Sequence, residues 1–374
     1  MIIDSHFYCF NAPDDPRGYA SAQDHLNYAQ LMVSGHHQPA IRLRDRKHVS
    51  SQPVNPSGKW DPTQVPNVNL RVDRKCGRIL WTIDGEDHTK YTLPPNLPGF
   101  EYTPHNVISE LDYCDVDMAL LHVDPTLVRD PAQVAEYVRA YPNRLRAMTP
   151  VDEWRIKDEM DKVIAEVEAG IKKHGLHAIK IHPCLFWLMG PEPWDGPSYR
   201  PFWDAVTKLN VPIFFTLGCG YDSFHRRVTP DEARAGYLDE QRMLIRWMER
   251  YPDNVCSMTH GFPYRLYLDG DRITVPDEIW EPFENPNCNM EVSLPVRIGD
   301  KFDYPWRETL PFFEQMVERV GADHLLWGTD MPFQNRFCTF RQSRNYIDKY
   351  ATFLTPHDRA MILGGTAARI LKIK

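Results

Sequence analysis

From about residue 105 onward, the chain alternates between amphipathic stretches and short apolar runs. The amphipathic stretches 153–173, 230–251 and 306–320 predict helices, and the short apolar runs predict buried strands. Eight such strands can be marked by one central residue each: Ile3, Leu120, Leu145, Ile179, Phe214, Met258, Met290 and Leu326. In the second half they recur at intervals that suit βα units of about 30 residues or more.

This alternation predicts an α/β fold, a (β/α)8 (TIM) barrel formed by one domain over residues 1–374. The main rival is an open, doubly wound sheet. The barrel is favoured because no glycine-rich phosphate-binding fingerprint follows any of the strands.

Residues 8–104, after the first strand, are instead rich in Pro, Asn, Asp, Arg and His. A structureless loop of this length is improbable in a compact domain. Two apolar runs, 78–83 and 89–93, flank the turn dipeptide Asp84-Gly85, which predicts a β-hairpin. We therefore expect a long insertion after strand 1 that carries its own hairpin and covers the mouth of the barrel.

Composition narrows the class of protein. The 374 residues are 42% apolar and 25% charged, as is ordinary for a globular domain, and the net charge is −8. This charge argues against nucleic acid or an anionic membrane as partner. No apolar run is long enough for a membrane span, and the segment Met1-Ile2-Ile3-Asp4 lacks the features of a secretory signal. With eight scattered cysteines that we interpret as reduced thiols, we expect a cytoplasmic protein.

Candidate chemistry lies at the strand ends. In a (β/α)8 barrel, the carboxyl ends of all strands meet at one face, where active sites lie. Asp330 follows the last predicted strand after a Gly-Thr turn. Polar side chains also end most of the other strands: Asp4, His6, His122, Lys180, His182, Thr216, His260 and Glu291. One such residue is usually structural, but burying many together is costly unless they are coordinated or hydrogen-bonded, so we predict a functional site here.

Two uses of this cluster remain open from the residues alone. Imidazoles and carboxylates bind zinc or manganese, and the ion would polarise a carbonyl group or activate water. Alternatively, Asp330 acts as a general base on water while His182 and His260 stabilise an oxyanion without a metal.

Five short motifs follow one another along the chain: Ile3-Asp4-Ser5-His6-Phe7, Ala178-Ile179-Lys180-Ile181-His182-Pro183, Thr259-His260-Gly261-Phe262-Pro263, Leu326-Trp327-Gly328-Thr329-Asp330-Met331-Pro332 and Gly364-Gly365-Thr366-Ala367-Ala368-Arg369. Together they resemble the amidohydrolase superfamily, in particular the branch of aminocarboxymuconate-semialdehyde decarboxylase and the resorcylate decarboxylases, which also includes lactonases. The resemblance covers most of residues 105–374. It implies that Asp330 touches a metal or activates water, and that His260 assists as acid or base.

The sequence departs from the family pattern at two positions. The usual first-strand motif is His-x-His, but Tyr8 takes the second place, and Asp4-x-His6 instead resembles the Glu-x-His variant of some decarboxylases. The fifth strand normally ends in a metal-binding His, where this chain has Thr216, a poor ligand for zinc. The resemblance thus leaves either a catalyst without metal or a shifted site for one divalent ion, Zn or Mn, whose ligands would be Asp4, His6, His182 and Asp330.

Three functional hypotheses follow. The leading one is a hydrolase for a small aromatic or unsaturated carboxylic acid, or its lactone or amide, in which Asp330 activates water and His260 and His182 stabilise the developing charge. The alternative is a metal-dependent non-oxidative decarboxylase of an aromatic or muconate-type acid, with His260 protonating the ring. The third is a non-catalytic barrel used for binding. The insertion is a candidate interface, so a homo-oligomer also stays open.

Overall fold

The computed structural model describes residues 1–95, 97 and 99–373. It confirms the predicted (β/α)8 barrel. Eight parallel strands stand side by side in chain order: Ile3–Tyr8, Met118–His122, Leu145–Thr149, Ala178–Ile181, Ile213–Phe215, Cys256–Met258, Cys288–Val292 and Leu325–Trp327. Their side chains are almost all buried, because the strands are covered by helices outside and fill the barrel inside.

The barrel closes where the chain just beyond the eighth strand meets the first strand. The backbone N–H of Asp330 donates to the carbonyl of His6, and that of Tyr8 donates to the carbonyl of Met331, both at 2.9 Å. The fully buried Asp4 carboxylate reinforces this junction. It accepts the Thr329 hydroxyl at 2.5 Å, the Thr329 backbone N–H at 3.1 Å and the His6 backbone N–H at 3.0 Å. Burial raises the pKa of Asp4 to about 8.

Helices surround the barrel. The longer ones are Pro104–Tyr113, Pro131–Ala140, Ile156–Lys172, Arg200–Val206, Pro230–Arg250 and Leu310–Val320. Shorter helices span Pro183–Phe186, Gly220–His225, Leu294–Ile298, Phe340–Asn345, Pro356–Ala360 and Thr366–Ile370. The three helices predicted from periodicity are present, two of them starting three to four residues late because a 3₁₀ turn comes first. Within the described residues, none of the helices combines the length and apolarity that a membrane crossing requires.

The insertion contains more structure than the sequence predicts. It has a helix, Ala22–Gly35, which the periodicity did not indicate. It also has a five-stranded antiparallel sheet, whose strands stand in the order His48–Val49, Ala40–Arg42, Glu86–Thr89, Arg78–Ile83 and Arg71–Asp73.

The second hairpin strand is Glu86–Thr89, where residues 89–93 were expected. The reason lies in the turn. Asp84 and Gly85 both have positive φ, 51° and 76°, which is the two-residue turn that joins antiparallel strands without a linker. Pairing therefore resumes directly at Glu86.

A buried lysine joins the sheet of the insertion to its helix. The Lys90 ammonium donates to the carbonyls of Val33 and His36, at 2.6 and 2.8 Å, and to the Ser51 hydroxyl at 3.0 Å. These carbonyls lie at the carboxyl end of helix Ala22–Gly35, where a positive charge is favourable. Burial lowers the pKa of Lys90 to about 8. The lysine thus fixes the end of the helix and the chain that leaves it.

We predict that Thr329→Val lowers the free energy of unfolding by about 1–3 kcal/mol, because it leaves a buried oxygen of Asp4 without its hydroxyl donor. Urea denaturation measures the change. The matched control is Thr63→Val, which removes a Thr hydroxyl from the Asp61 carboxylate on the surface and should change stability by less than about 0.5 kcal/mol. Equal effects of the two substitutions would contradict the proposed closure of the barrel by Asp4.

Candidate functional site

Three histidine rings stack at the carboxyl end of the barrel. His6, from the first strand, lies in the middle. Its ring centroid is 3.6 Å from that of His122 and 4.5 Å from that of His260. Burial lowers the pKa of all three rings well below the usual value for histidine, and nearby cations add to this effect. The rings are therefore neutral at neutral pH.

Glu291, on the seventh strand, holds this stack together. One of its oxygens accepts the His6 Nδ1–H at 2.8 Å and the backbone N–H of His260 at 2.9 Å. The other lies 3.3 Å from Nε2 of His122. Burial raises the pKa of Glu291 to about 8, and the positive charge of Lys180 opposes the shift. Because His6 donates from Nδ1, its Nε2 carries the lone pair.

Lys180 and His122 complete the buried network. The Lys180 ammonium lies 3.2 Å from Nδ1 of His122 and donates to the Thr259 hydroxyl at 2.9 Å. Nε2 of His122 lies 2.9 Å from the carbonyl of Ser5. An ammonium only donates and a carbonyl only accepts, so His122 carries its proton on Nε2. Burial lowers the pKa of Lys180 to about 8.

Asp330 stands over His6. Its carboxylate lies 3.3 Å from Nε2 of His6, which is also 3.2 Å from the Tyr8 hydroxyl. Burial raises the pKa of Asp330 to about 8, while Arg336 and Arg297 lower it. The backbone of Asp330 has a φ of 61°, a left-handed conformation that costs an L-residue of order 1 kcal/mol. Such strain at a polar strand end is typical of functional sites.

His260 has the same left-handed conformation, with a φ of 66°. Gly261 follows it, and a side chain there would be only 2.2 Å from the Tyr264 hydroxyl. Nδ1 of His260 is buried and has no hydrogen-bond partner among the described residues. The ring is therefore held by its backbone and by stacking, with an unused nitrogen.

Among the residues that the structure describes, two groups of side chains have ligand atoms within 4.8 Å of one another, as a metal ion requires. The first group is His6, His260 and Asp330. It fits a divalent ion, because the His6 lone pair and the unpartnered His260 nitrogen are available and Glu291 orients His6 from behind. The second group is His6, His122 and Glu291, which fits a cation less well because the Lys180 ammonium already lies beside it.

Asp330 and His260 open onto a cavity of about 230 Å³. Its other lining residues come from the loops after the barrel strands and from the insertion: Tyr8, Met32, His36, His37, Asp124, Thr126, Leu127, Val296, Arg297, Phe333 and Arg336. Burial and the nearby arginines lower the pKa of His37 to about 4 and that of His36 to about 2, so both rings are neutral.

Two guanidinium groups face this cavity. Arg336 lies with Nη1 2.8 Å from Nε2 of His36, and its Nε–H donates to the carbonyl of Phe333 at 2.9 Å. Burial lowers the pKa of Arg336 only to about 10, so it stays charged. Arg297 opens onto the cavity and its side chain has neither a hydrogen bond nor an ion pair in the described part of the chain. The surrounding protein lowers the pKa of Arg297 by desolvation.

The structure brings together some of the residues singled out in the sequence and separates others. His6, His260 and Asp330 form one cluster. Both oxygens of Asp4 are engaged by Thr329 and the backbone of His6 at the barrel closure. His182 faces a neighbouring cavity, where its Nε2 is 3.7 Å from Asp124, and it belongs to neither ligand group among the described residues.

Sequence reasoning missed the residues that come from outside the strands, namely His36, His37, Arg297 and Arg336. One signal was available. Arg297 interrupts the apolar run Leu294–Ile298, and a lone charge in such a run indicates a functional role. The predicted fifth-strand position, Thr216, has a buried hydroxyl with no partner among the described residues.

Comparison with known proteins identifies the family. The amidohydrolase family model matches residues 113–373. The fold is similar to 2,6-dihydroxybenzoate decarboxylase from Rhizobium, with a TM-score of 0.50 and 18% identity over 71% of this chain and 87% of that chain. It is also similar to a probable 2-pyrone-4,6-dicarboxylic acid hydrolase from Acinetobacter baumannii, with a TM-score of 0.51 and 16% identity over 73% of this chain and 90% of that chain. For an uncharacterized TIM-barrel protein from Bordetella bronchiseptica, the TM-score is 0.52 and the identity is 18%, over 73% of this chain and 86% of that chain. No curated protein matches the chain.

The family match spans most of the chain, so the protein belongs to the amidohydrolase family and is an enzyme of that superfamily. This confirms the resemblance inferred from the strand-end motifs. It argues against the hypothesis of a non-catalytic barrel.

The network predicts the tautomers of two buried histidines. We expect neutral His6 protonated on Nδ1 and neutral His122 protonated on Nε2 at every pH above about 6, since burial keeps both pKa values well below 6.5. Long-range ¹H–¹⁵N spectra of the imidazoles distinguish these states. In Glu291→Gln, the His6 signals should shift because an amide replaces the carboxyl group that bonds Nδ1. Protonation of His6 on Nε2 in the native protein would contradict this network.

Proposed function

We propose that this enzyme hydrolyses a lactone or amide derived from a small aromatic or unsaturated carboxylic acid. The observation that carries the proposal is the arrangement of one cavity, in which the Asp330 carboxyl and the His260 ring face two guanidinium groups, Arg297 and Arg336. The guanidiniums provide a binding site for a carboxylate, and Asp330 provides a base for water.

The charge of the cavity supports an anionic substrate. At neutral pH the three cavity histidines, His36, His37 and His260, are uncharged, and the raised pKa of Asp330 leaves that carboxyl largely protonated. The two arginines then outweigh Asp124, whose oxygen already accepts the Thr126 hydroxyl. Arginine is well suited to bind a carboxylate in a forked, bidentate geometry.

Asp330 has the properties of a general base. A pKa of about 8 leaves only a minor fraction of Asp330 deprotonated at neutral pH, but this carboxylate is a stronger base than that of an ordinary aspartate. Asp330 takes a proton from water while the water oxygen bonds to the carbonyl carbon of the substrate. It then returns this proton to the leaving oxygen or nitrogen as the C–O or C–N bond breaks.

His260 faces the same cavity as a neutral imidazole and donates a hydrogen bond to the oxyanion that forms on the attacked carbonyl. His6 lies beneath Asp330 and, fixed by Glu291, orients it. His182 lies in the neighbouring cavity and contacts the part of the substrate away from the reacting bond.

The family implies a divalent metal, and the donors present fit one. His6, His260 and Asp330 would hold it, and their two imidazoles and one carboxylate suit Zn or Mn. When bound, the ion would supply a Lewis acid for the carbonyl and lower the pKa of water. The roles of the arginines in binding and of Glu291 in orienting His6 are the same in either case.

Metal-dependent decarboxylation of an aromatic acid is the second candidate, favoured by the same three-residue cluster. The arginines argue against it as the first choice. A decarboxylase must release its carboxylate as carbon dioxide, and cations that bind this group in the ground state raise the barrier to its loss. In a hydrolase the carboxylate does not react and serves only to bind the substrate, so holding it does not raise the barrier to cleavage of the lactone or amide bond.

The first test is Asp330→Asn. We expect turnover to fall by at least about 1,000-fold, since the amide cannot accept a proton from water, while circular dichroism and thermal unfolding stay close to those of the native protein. Turnover is measured by mass spectrometry of products from a panel of aromatic lactones, amides and acids. Ring or amide opening supports hydrolysis, and carbon dioxide release supports decarboxylation. Full activity of the variant would overturn the role of Asp330.

The second test concerns the metal. We expect His6→Ala and His260→Ala to bind zinc or manganese at least about tenfold more weakly than the native protein. Metal content by inductively coupled plasma mass spectrometry and titration of the metal measure this. His105→Ala is the control, since His105 lies on the outer helix Pro104–Tyr113 and its ring bonds only Tyr141 among the described residues. Equal metal affinity in all three variants would contradict the proposed ligands.

A further inference from the structure

A second cavity, of about 300 Å³, adjoins the first one. Met32, on the helix of the insertion, and His36, just after this helix, line both cavities. Asp124 and Thr126 of the barrel also line both, so the two spaces meet between the insertion helix and the loop after the second strand. We call the first the acid compartment and the second the side compartment.

The two compartments differ in chemistry. Arginine side chains line only the acid compartment. The side compartment is lined mainly by apolar groups, among them Leu31, Trp60, Leu185 and Phe224, and His182 is its main polar contribution from a barrel strand end. Apolar walls beside a polar reaction centre are the usual composition of a ligand site.

The side compartment depends on both parts of the chain. Leu31 and Trp60 belong to the insertion, whereas Leu185 and Phe224 lie on short helices after the fourth and fifth strands. Trp60 is fixed from behind by Trp154, with ring centroids 4.9 Å apart, and by Tyr28 at 5.7 Å. This wall is therefore preformed, and filling it requires little ordering of side chains.

We infer that the substrate has two parts: an acid group that binds Arg297 and Arg336 in the acid compartment, and an apolar, ring-sized group that fills the side compartment against Trp60, Leu185 and Phe224. The inference rests on the proposed function for the acid end and adds the second part. It assigns a substrate-binding role to the insertion, in which Met32 and His36 border both compartments.

The experiment compares two acids by isothermal titration calorimetry with the full chain. Benzoate occupies the acid compartment alone, whereas 4-phenylbutyrate places its carboxylate there and reaches the side compartment with its ring. Burying the ring should make 4-phenylbutyrate bind about tenfold more tightly or better. The neutral 4-phenylbutyramide tests whether the acid group is needed, and should bind at least about tenfold more weakly than the acid.

Substitutions in the two compartments show which of them causes the tighter binding of 4-phenylbutyrate. Phe224→Ala, at a half-buried position, and Leu185→Ala should each reduce the preference for 4-phenylbutyrate to less than about threefold and leave benzoate binding unchanged. Val296→Ala is the matched control, since Val296 lines only the acid compartment, and it should weaken both acids by the same factor.

The outcomes separate the two proposals. If benzoate binds but 4-phenylbutyrate is no tighter, or if the preference survives both Phe224→Ala and Leu185→Ala, the side compartment is not a substrate site and the acid compartment stands. If neither acid binds, the acid compartment does not bind a carboxylate, and both the proposed function and the two-part substrate fail. If the amide binds as tightly as the acid, the two-part substrate is excluded.

Discussion

A carboxylate buried inside a barrel must be hydrogen-bonded or neutralised, and Glu291 meets this requirement by joining three strands at the carboxyl end. It accepts the ring of His6 from the first strand and the backbone of His260 after the sixth, with Lys180 from the fourth supplying the compensating charge. The same bonds decide which nitrogen of His6 faces Asp330. Burial keeps the stacked histidine rings neutral, while the hydrogen bonds of Glu291, Lys180 and the Ser5 carbonyl set the tautomers of His6 and His122.

The sequence predicts the barrel and the set of strand-end residues, because both follow from local patterns. Eight short apolar runs with intervening helices indicate the strands, and the end of each strand indicates the face of the site. How deeply each strand-end side chain lies in the barrel, and which cavity it faces, depends on contacts with distant parts of the chain and not on the local pattern. His182 and His260 both end strands, yet His260 lies in the cluster while His182 turns toward another cavity. Asp4 is deeper still and serves the barrel closure, a role that only the contact with Thr329 reveals.

The insertion explains most of what the sequence could not predict. Its contribution to the site depends on contacts between residues far apart in the chain. Lys90, on the chain just after the hairpin, holds the end of helix Ala22–Gly35 and the carbonyl of His36, and the His36 ring in turn accepts Arg336 from the loop after the eighth strand. These two contacts, among Lys90, His36 and Arg336, join the insertion sheet to the acid compartment. A composition rich in Pro, Asn and Arg predicts a long loop, but it does not indicate which distant residues of that loop will contact one another.

The fifth-strand position shows how a changed ligand set can be compatible with a working site. Thr216 cannot replace a histidine as a zinc ligand, and its hydroxyl is buried without a partner among the described residues. In the proposed metal site His260 would supply a nitrogen instead, since it has an unused nitrogen of its own and lies beside His6 and Asp330. A three-ligand cluster leaves open positions for water and substrate, as catalytic sites require, whereas a closed set of four protein ligands serves only structure. In this proposal the third ligand comes from the residue after the sixth strand, and the cluster opens onto the same cavity as Arg297 and Arg336. A site placed there suits attack by water on a carbonyl whose carboxylate is held a short distance away.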